Sequence, residues 1–415
     1  MGDRDRDHKV SDLVVLPIGR VQATGRPKQA WAVLDADGVE IDAVSQWLTE
    51  LAASDYSPGT LRSYAYDLLA WYRLLDAMHV GWTGATRADV RDVVRWYRMA
   101  DNPQRRRSGT GQPGRRPPAG SVNPRTAKPY LRNEYAPATI DHLLSVVSEF
   151  YEFAVATGLG PLSNPVPRSP TRRTRELRTR QGPMEAPQPQ RRARYRQKRE
   201  QRAPRAISDE LFNEFFAQLP TVRDRAIVST SVSSGARAAE MLSMRPCGVQ
   251  VDSHTVEVIG KGRREYQPVR TSPDSLMWIS LYLADRPSGF GPADPLWLTL
   301  RGQPRPMTYW SLRQVLERAN TALGTNITFH DLRHTYAYRL ATDPSLLITD
   351  VQELMRHASL STTQVYLRTR TEDLVERLLA HYARPPAPPP RPAAGYDPAD
   401  LAVLFGHDTV TGPNA

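Results

Sequence analysis

The sequence contains very little cysteine and no long apolar segment. Its 415 residues include a single cysteine, Cys247, which excludes an intramolecular disulfide framework and a cysteine-based zinc cluster. Low cysteine use also fits a reducing cytosol. No run of about 18 apolar residues occurs, and the N-terminal residues carry charges of both signs instead of the apolar core of a secretion signal. We therefore expect a soluble intracellular protein.

The apolar share of the sequence is modest as well. Hydrophobic residues make up 40% of the chain, which is low for a globular protein, whereas its 36 prolines are many. This composition indicates that part of the length is linker or tail. The remaining length still suffices for two or more domains, each with its own hydrophobic core.

Positive charge is concentrated in two segments. The formal net charge of the chain is +11. Residues 166–205 hold fourteen Lys and Arg and three Glu, a net charge of +11, and residues 103–135 carry a net charge of +7. Arginine-rich charge of this density indicates a partner with a phosphate backbone. A solvated linker that binds nothing has the same composition and is an equal alternative.

Periodic patterns predict a helical first domain. Residues 12–38 are β-like, and over residues 41–165 apolar residues recur at helical spacing in four stretches. Ser57 followed by Pro58 is typical of a helix start, and Thr86 opens the third helix as part of a short capping box. We expect four helices, with a basic insert between the third and the fourth.

The rest of the chain divides into a linker, a second domain and a tail. Residues 166–205 are a basic linker, and residues 206–383 combine helices with short β-type runs. Residues 1–40 are an N-terminal extension, and the proline-rich residues 384–415 are a tail that we expect to be mostly disordered. The sequence therefore predicts a mostly α, multidomain protein, with a four-helix N-terminal domain and an α+β second domain that contains a small antiparallel β-sheet.

One motif of the second domain places an arginine at a predicted helix start. In "SSGARAAEML", Gly235 ends one helix and Arg237 opens the next. The helix dipole disfavours a cation at that end, whereas Arg237 and the free backbone N–H groups could together bind an anion. The simpler interpretation is an ion pair of Arg237 with Glu240, three residues later on the same helix face. Taken alone, this motif favours the ion pair.

Two further motifs carry cations and histidines. Lys261 lies in "GKG" at the tip of a predicted hairpin, where a lysine either improves solubility or reaches into a neighbouring site. In "TFHDLRHTYAYRL", His330 shares a helix face with both Arg333 and His334. The two histidines lack the glutamate of the metalloprotease motif, so we expect no metal site. His334, beside Tyr338, is interpreted as a packing residue.

A fourth motif adds a candidate nucleophile. "RHASLSTTQVYLR" contains His357 and, nine residues later, Tyr366. Phosphoryl transfer without metals needs cationic donors for the nonbridging oxygens, a proton donor for the leaving oxygen and a nucleophile. The four motifs together provide all three. A phenol has an ordinary pKa of about 10, and an arginine-rich pocket would stabilise its phenolate.

Taken in order, the four motifs resemble the tyrosine recombinase (phage integrase) family. The family pattern is an arginine, a hairpin lysine, His-x-x-Arg, and a second histidine followed nine residues later by a tyrosine. The likeness is strong over residues 206–383 and weaker over residues 41–158. It implies that the helical domain is a core-binding, SAM-like domain and that the second domain is catalytic. Arg356, where the family usually has glycine, and Ala236, where a larger apolar residue is common, depart from the pattern. The motifs that carry the likeness are "SGARAAEML", "GKGRREYQPV", "HDLRHTYA" and "RHASLSTTQVYLR".

The resemblance also implies a phosphate site. Arg237 and Arg333 would clamp the scissile phosphate of DNA, and His357 would donate a hydrogen bond to it. The reaction would need no cofactor and no metal ion.

The same resemblance assigns the proton transfers and the nucleophile. Tyr366 would attack the phosphate, giving a 3′-phosphotyrosyl intermediate, while Lys261 would protonate the departing 5′ oxygen. His330 would act in proton transfer around the tyrosine. Because the phosphotyrosine retains the bond energy, the hydroxyl of a partner strand could religate without ATP. Tyr336 and Tyr338 compete as nucleophiles, although aromatic residues at their spacing are more often core residues.

The implied substrate is double-stranded DNA, bound in a C-shaped clamp between the two domains of each subunit of a homotetramer on paired sites. The basic linker would then cross the duplex and contact phosphates, and the insert at residues 103–135 would also reach DNA. The arginines expected to contact DNA are Arg62, Arg172, Arg173, Arg191, Arg192 and Arg194. The amphipathic segment after Tyr366 would dock on a neighbouring protomer or pack on its own domain, with docking in trans slightly favoured. We expect the protein in the bacterial cytoplasm or nucleoid.

Two alternatives use the same fold. A nicking–closing enzyme similar to type IB topoisomerases uses much the same residues, but the four-helix N-terminal domain argues against it. A DNA-binding regulator without catalysis is disfavoured because all six catalytic positions are present. The sequence therefore favours a site-specific DNA recombinase or integrase.

Overall fold

A computed structural model provides the fold of the chain. The residues it describes are 9–26, 29–103, 117–167, 193–198, 205–260, 262, 265–357, 363, 366, 378, 379, 382 and 383. Lys261 and the proline-rich tail lie outside these residues, as do Arg172, Arg173, Arg191 and Arg192 of the linker. The segment that follows Tyr366 is also largely outside them.

A β-hairpin and four helices form the described part of the N-terminal domain. Strands β1 (Arg20–Arg26) and β2 (Gln29–Leu34) pair in antiparallel orientation. The predicted helices follow as α1 (Asp42–Ala53), α2 (Pro58–Ala77), α3 (Arg87–Met99) and α4 (Pro137–Ala156). Ser57 caps α2 by accepting a hydrogen bond from the Thr60 backbone N–H at 3.2 Å. Thr86 and Asp89 form the predicted capping box of α3.

Large aromatic side chains fill the core of this domain. Trp47, Trp71 and Tyr151 are all fully buried. The Trp71 indole donates to the Tyr151 hydroxyl at 3.3 Å, and that hydroxyl donates to the Trp82 carbonyl at 2.7 Å, so that these buried polar atoms are satisfied. Val33 of β2 belongs to the same core, and the hairpin therefore packs as part of the helical domain.

Helices surround a small sheet in the C-terminal domain. The sheet has the antiparallel order β3 (Val249–Gln250), β4 (Thr255–Ile259) and β5 (Tyr266–Arg270). The described helices are α5 (Asp209–Ala217), α6 (Val222–Ser234), α7 (Ala238–Leu242), α8 (Pro273–Ala284), α9 (Tyr309–Leu323), α10 (Phe329–Thr342) and α11 (Ile348–Leu354). The largely buried α6 packs against both α8 and α10. Strands β4 and β5 form the predicted hairpin, with Ile259 opposite Tyr266.

The predicted fold class is confirmed. The described residues are mostly helical, they form one large hydrophobic core in each of two domains, and their sheets are small and antiparallel. Among the helices of the described segments, none is both long enough and apolar enough to cross a membrane.

The described half of the basic insert lies against the C-terminal domain. Asn123, which is fully buried, donates to the Gly324 carbonyl at 2.8 Å. Arg125 forms an ion pair with Glu214, and Lys128 forms one with Asp331 at the start of α10. The insert thus connects the helical domain to the second domain close to the His-x-x-Arg motif. Its contact with DNA stays a prediction.

A short part of the basic linker packs on the N-terminal domain. The Arg196 guanidinium donates to Ser145 of α4 at 2.8 Å, and the Gln197 backbone N–H donates to the Asp141 carboxylate at 2.9 Å. Tyr195 contacts the aromatic core. Arg194, one of the arginines predicted to contact DNA, is exposed beside this anchor.

Candidate active site

The turn between α6 and α7 positions Arg237. Gly235 ends α6 in the left-handed conformation, with φ of 59°, and a Cβ atom there would overlap the ring of Tyr336. Only glycine satisfies both constraints. The chain then enters α7 at Arg237, whose backbone N–H and guanidinium both donate to the Glu240 carboxylate, at 2.9 and 2.6 Å. The simpler sequence interpretation, the local ion pair, is therefore present.

This ion pair does not prevent Arg237 from binding an anion. The Arg237 side chain is 36% exposed, whereas that of Glu240 is 2% exposed. Arg237 lines a cavity of about 970 Å³ together with Gly260, Arg356 and His357. Gly260 follows β4 and precedes Lys261 in the sequence, so the first strand of the predicted hairpin ends at the wall of this cavity.

Arg356 provides Glu240 with a second cationic partner. Its guanidinium donates at 2.8 Å to Oε2 of Glu240, the oxygen that also accepts from the Arg237 backbone N–H. Burial alone would raise the pKa of Glu240, but Arg356 and Arg237 outweigh burial and hold this pKa below its ordinary value. Arg356 adopts a left-handed φ of 53°, the region that favours glycine. The departure from the family pattern thus places a cation on the buried carboxylate.

Arg333 adds a third cation to the cluster formed by Arg237 and Arg356. It lies on α10 and is buried, and its guanidinium donates to the Gly235 carbonyl and, at 2.6 Å, to the Met355 carbonyl. These bonds fix the turn before Arg237 and the end of α11 relative to each other. Burial, followed by the fields of Arg237 and Arg356, lowers the pKa of Arg333 to about 10, so it remains a cation at neutral pH.

His357 lies beside the same cations. Its Nδ1 contacts the Thr363 hydroxyl at 2.9 Å, and its backbone carbonyl accepts from Gln352 at 3.1 Å. Burial first, then the fields of Arg333 and Arg237, lower the pKa of His357 to about 4. The imidazole is therefore neutral at pH 7.

Tyr366 contacts a histidine that the sequence analysis interpreted as a packing residue. The phenol oxygen lies 2.5 Å from Nδ1 of His334, and Nε2 of His334 lies 2.8 Å from Nε2 of His330. His330, assigned to this role by resemblance, is thus one step removed from the phenol. The only sequence signal for this arrangement was the i, i+4 spacing of His330 and His334, which places both rings on one face of α10.

The competing tyrosines have other environments. Tyr336 packs against Gly235 and contributes to the small cluster that contains Tyr366. Tyr338 faces a second cavity, lined also by His330 and Lys128. Tyr366 itself is 5% exposed, and burial raises the pKa of its phenol while Arg333 partly offsets that rise.

Arg62, another of the arginines predicted to contact DNA, lies on the N-terminal domain. Arg62 is exposed on α2, and its guanidinium stacks over the rings of Trp31 and Tyr66 at 5.1 and 5.6 Å. Arg62 is therefore held in place on the domain surface. None of the described contacts tests its interaction with DNA.

Comparison with known families matches both domains. Residues 207–373 match the phage integrase family, and residues 44–108 match the N-terminal SAM-like domain of phage integrases. A tyrosine recombinase XerC from Leptospira interrogans is 33% identical over 169 residues, which are 40% of this chain and 53% of that protein. A tyrosine recombinase XerD from Lacticaseibacillus casei is 26% identical over 250 residues, 58% of this chain and 75% of that protein. The chain thus spans about half the length of its XerC relative.

A solved structure shares the fold of both domains. The integrase of the Tn1549 transposon, in complex with transposon right end DNA, superimposes with a TM-score of 0.51 at 11% sequence identity, covering 83% of this chain and 99% of that one. At this identity the match concerns the fold alone. The two family matches lie in the order SAM-like domain and then integrase domain, and they fall on the two domains described above. This chain therefore belongs to the phage integrase family of tyrosine recombinases.

Proposed function

We propose that the chain is a site-specific DNA recombinase that cuts and rejoins strands through a 3′-phosphotyrosine intermediate. The charge around the cavity carries this proposal. Arg237, Arg333 and Arg356 surround the single carboxylate of Glu240, so that these four groups together hold two net positive charges. A phosphodiester bound there would offset this excess.

The proposed reaction uses the residues that the family resemblance assigns. The Tyr366 phenol gives up its proton, with His330 acting in this transfer, and its oxygen attacks phosphorus to form the 3′-phosphotyrosyl bond as the bond from phosphorus to the 5′ oxygen breaks. Arg237 and Arg333 stabilise the charge on the nonbridging oxygens, and His357 donates a hydrogen bond to one of them. Lys261 gives its proton to the leaving 5′ oxygen. Attack by the 5′ hydroxyl of a partner strand reverses these steps and releases the tyrosine.

Double-stranded DNA is the proposed partner, and its phosphates would attract the basic linker. The fourteen Lys and Arg of residues 166–205 support this assignment because charge neutralisation of phosphates dominates DNA affinity. We further propose a homotetramer on paired sites, with the segment after Tyr366 docking in trans, at work in the bacterial cytoplasm or nucleoid.

A covalent-capture experiment tests the proposed activity. The probe is a pool of DNA duplexes of randomised sequence, each nicked close to the centre so that cleavage releases a short fragment and traps the enzyme. We expect a protein–DNA adduct that survives denaturation with the wild type and with Tyr338→Phe. Tyr366→Phe should give no adduct and bind DNA with nearly unchanged affinity, because it loses only a hydroxyl.

The outcomes separate the candidate activities. Adducts from the wild type, followed by exchange of strands between two copies of the captured sequence, support a recombinase. Adducts with relaxation of supercoiled plasmid and no exchange indicate a nicking–closing enzyme. If the wild type binds DNA but forms no adduct with any member of the pool, the chain is a DNA-binding regulator and the proposal is wrong.

A further inference from the structure

The contact between Tyr366 and His334 can carry the phenol proton. Burial raises the pKa of the phenol above its ordinary value of 10.0, so Tyr366 keeps its proton at neutral pH and has a hydrogen to donate. Nδ1 of His334, which lies 2.5 Å from the phenol oxygen, can accept it. A neutral imidazole that accepts at Nδ1 carries its hydrogen at Nε2.

In that tautomer His334 can also donate to His330. The two Nε2 atoms lie 2.8 Å apart, and a neutral His330 that accepts there carries its hydrogen on Nδ1. The two rings lie on successive turns of α10, with centroids 4.0 Å apart. A chain of hydrogen bonds thus runs from the phenol through His334 to His330.

The end of this hydrogen-bond chain that is farther from Tyr366 is His330, which lies at a cavity. His330 is exposed, and both histidines line a cavity of about 930 Å³ beside the insert residue Lys128. The near end lies in the cluster that buries Tyr366. The relay therefore connects a buried phenol with a cavity that can hold solvent.

Four other polar groups in the described part of the site are poorly suited to accept the phenol proton. Arg333 and Arg356 have donors only. Glu240 already accepts from Arg237 and Arg356 at both carboxylate oxygens. Nδ1 of His357 is engaged with the Thr363 hydroxyl.

We propose that His334 is the general base of DNA cleavage and that His330 is the second member of its proton relay. This inference rests on the proposed recombinase function. As the Tyr366 oxygen bonds to phosphorus, its proton moves to Nδ1 of His334, and the Nε2 proton of His334 can pass to His330. The bond from phosphorus to the 5′ oxygen breaks at the same time, and that oxygen takes its proton from Lys261. Rejoining returns the proton to the phenol along the same path.

The surroundings of His334 set its proton affinity. Burial, His330, Arg333 and Lys128 disfavour a proton on the ring, and Asp331 favours it; the pKa of His334 is about 4. The ring is accordingly neutral and able to accept throughout the neutral range. Cleavage by the wild type should therefore vary little with pH between about pH 6 and about pH 8, as far as the base is concerned.

The test compares single-turnover cleavage by three forms of the full-length protein on a nicked duplex captured by the wild type. His334→Ala removes the acceptor. His334→Asn keeps an oxygen close to the position of Nδ1, so it can hold the phenol but cannot take its proton. Both should cleave slower than the wild type at neutral pH by a factor of about 100 or more, the range for loss of a general base. Their rates should rise with pH, because hydroxide must then remove the phenol proton. DNA affinity and thermal unfolding serve as folding controls.

Replacing the 5′ bridging oxygen of the DNA by sulfur distinguishes the role of His334 as a base from the role of Lys261 as an acid. In a duplex with sulfur at the 5′ bridging position, the leaving thiolate needs no proton, so this substrate should restore cleavage by Lys261→Ala. It should not restore cleavage by His334→Asn, whose defect lies at the nucleophile.

Three results would overturn the inference. Wild-type rates and a wild-type pH profile in both variants would show that His334 takes no part. Normal cleavage by His334→Asn, with loss in His334→Ala alone, would show that His334 only positions the tyrosine. Rescue of His334→Asn by the sulfur substrate would move its role to the leaving group. The proposed function itself fails in a different way, when the wild type forms no adduct.

Discussion

The replacement Arg356→Gly sets two opposing contributions to stability against each other. Arg356 has a left-handed φ of 53°, which costs a residue other than glycine roughly 1–2 kcal/mol. The same conformation places its guanidinium 2.8 Å from Glu240, with the two side chains only 15% and 2% exposed. A charge-assisted hydrogen bond contributes about 1.5–3 kcal/mol. Because Arg237 remains on the carboxylate, the loss stays below the roughly 3–5 kcal/mol of an orphaned buried charge.

The ion pair should prevail over the backbone strain. We expect Arg356→Gly to lower the free energy of unfolding by about 1 kcal/mol, the difference between these two contributions. Arg356→Ala should be less stable by about 1 kcal/mol more, since alanine loses the ion pair and keeps the strain. Equilibrium unfolding of the full chain in urea, at unchanged slope, measures both. The matched control is Arg194→Ala, which removes an exposed arginine.

The reasoning would be refuted by a glycine variant as stable as the wild type or more stable. That result would mean that Arg237 alone satisfies Glu240 and that Arg356 adds mainly strain. Measuring the same stability difference at lower pH provides a further check. Because the pKa of Glu240 lies below its ordinary value, the ion pair stabilises the fold at neutral pH and is lost as the pH falls through the folded-state pKa. The difference between the wild type and Arg356→Gly should therefore shrink in acid.

Two further predictions concern charge. Burial and then the field of His330 hold the pKa of His334 at about 4, and burial and then the field of Arg333 do the same for His357. Both values lie below the ordinary 6.5 of histidine. The unfolded chain therefore binds protons first, and stability should fall as the pH drops from about 6.5 towards about 4. Urea unfolding at about pH 7 and about pH 5 measures this loss, and the double variant His334→Asn/His357→Asn should lose less; equal losses would contradict the assignment. The second change replaces residues 171–192 by glycine and serine at equal length and removes seven arginines. A plot of log binding constant against log salt concentration should become shallower by about 0.9 for each phosphate that the linker no longer neutralises. An unchanged slope would show that the linker does not contact phosphates.

Local sequence signals predicted the helices of the first domain because each is determined by adjacent residues. Ser57 and Thr86 form helix caps within three residues of their partners. Arg237 and Glu240 likewise meet across one turn, so both the ion pair and the helix start could be read from "SGARAAE". The hydrophobic periodicity then sufficed to predict the mostly helical fold class.

Interactions between distant segments were beyond the reach of such patterns. The role of His334 depends on where Tyr366 packs, 32 residues later, and a histidine on a helix gives no sign of that partner. The hydrogen bond of Asn123 with Gly324, 201 residues away, is equally invisible in a proline-rich insert. Arg356 was noticed as a departure from the family pattern, but its left-handed backbone and its bond to Glu240 required coordinates.

The electrostatics of the site connect substrate binding to proton transfer. Arg333 is a shared neighbour: its field lowers the pKa of His330, His334 and His357 and also lowers that of the Tyr366 phenol. In the proposed complex the phosphodiester lies against Arg333 and offsets this field, so His334 becomes a stronger base when substrate is bound. The phosphate also makes the phenol harder to ionise, which increases the need for a base in contact with the phenol. Without DNA, the tyrosine is buried and its raised pKa keeps it protonated. Binding of the scissile phosphate would therefore raise the proton affinity of the base at the same moment as it brings the phosphorus atom to the nucleophile.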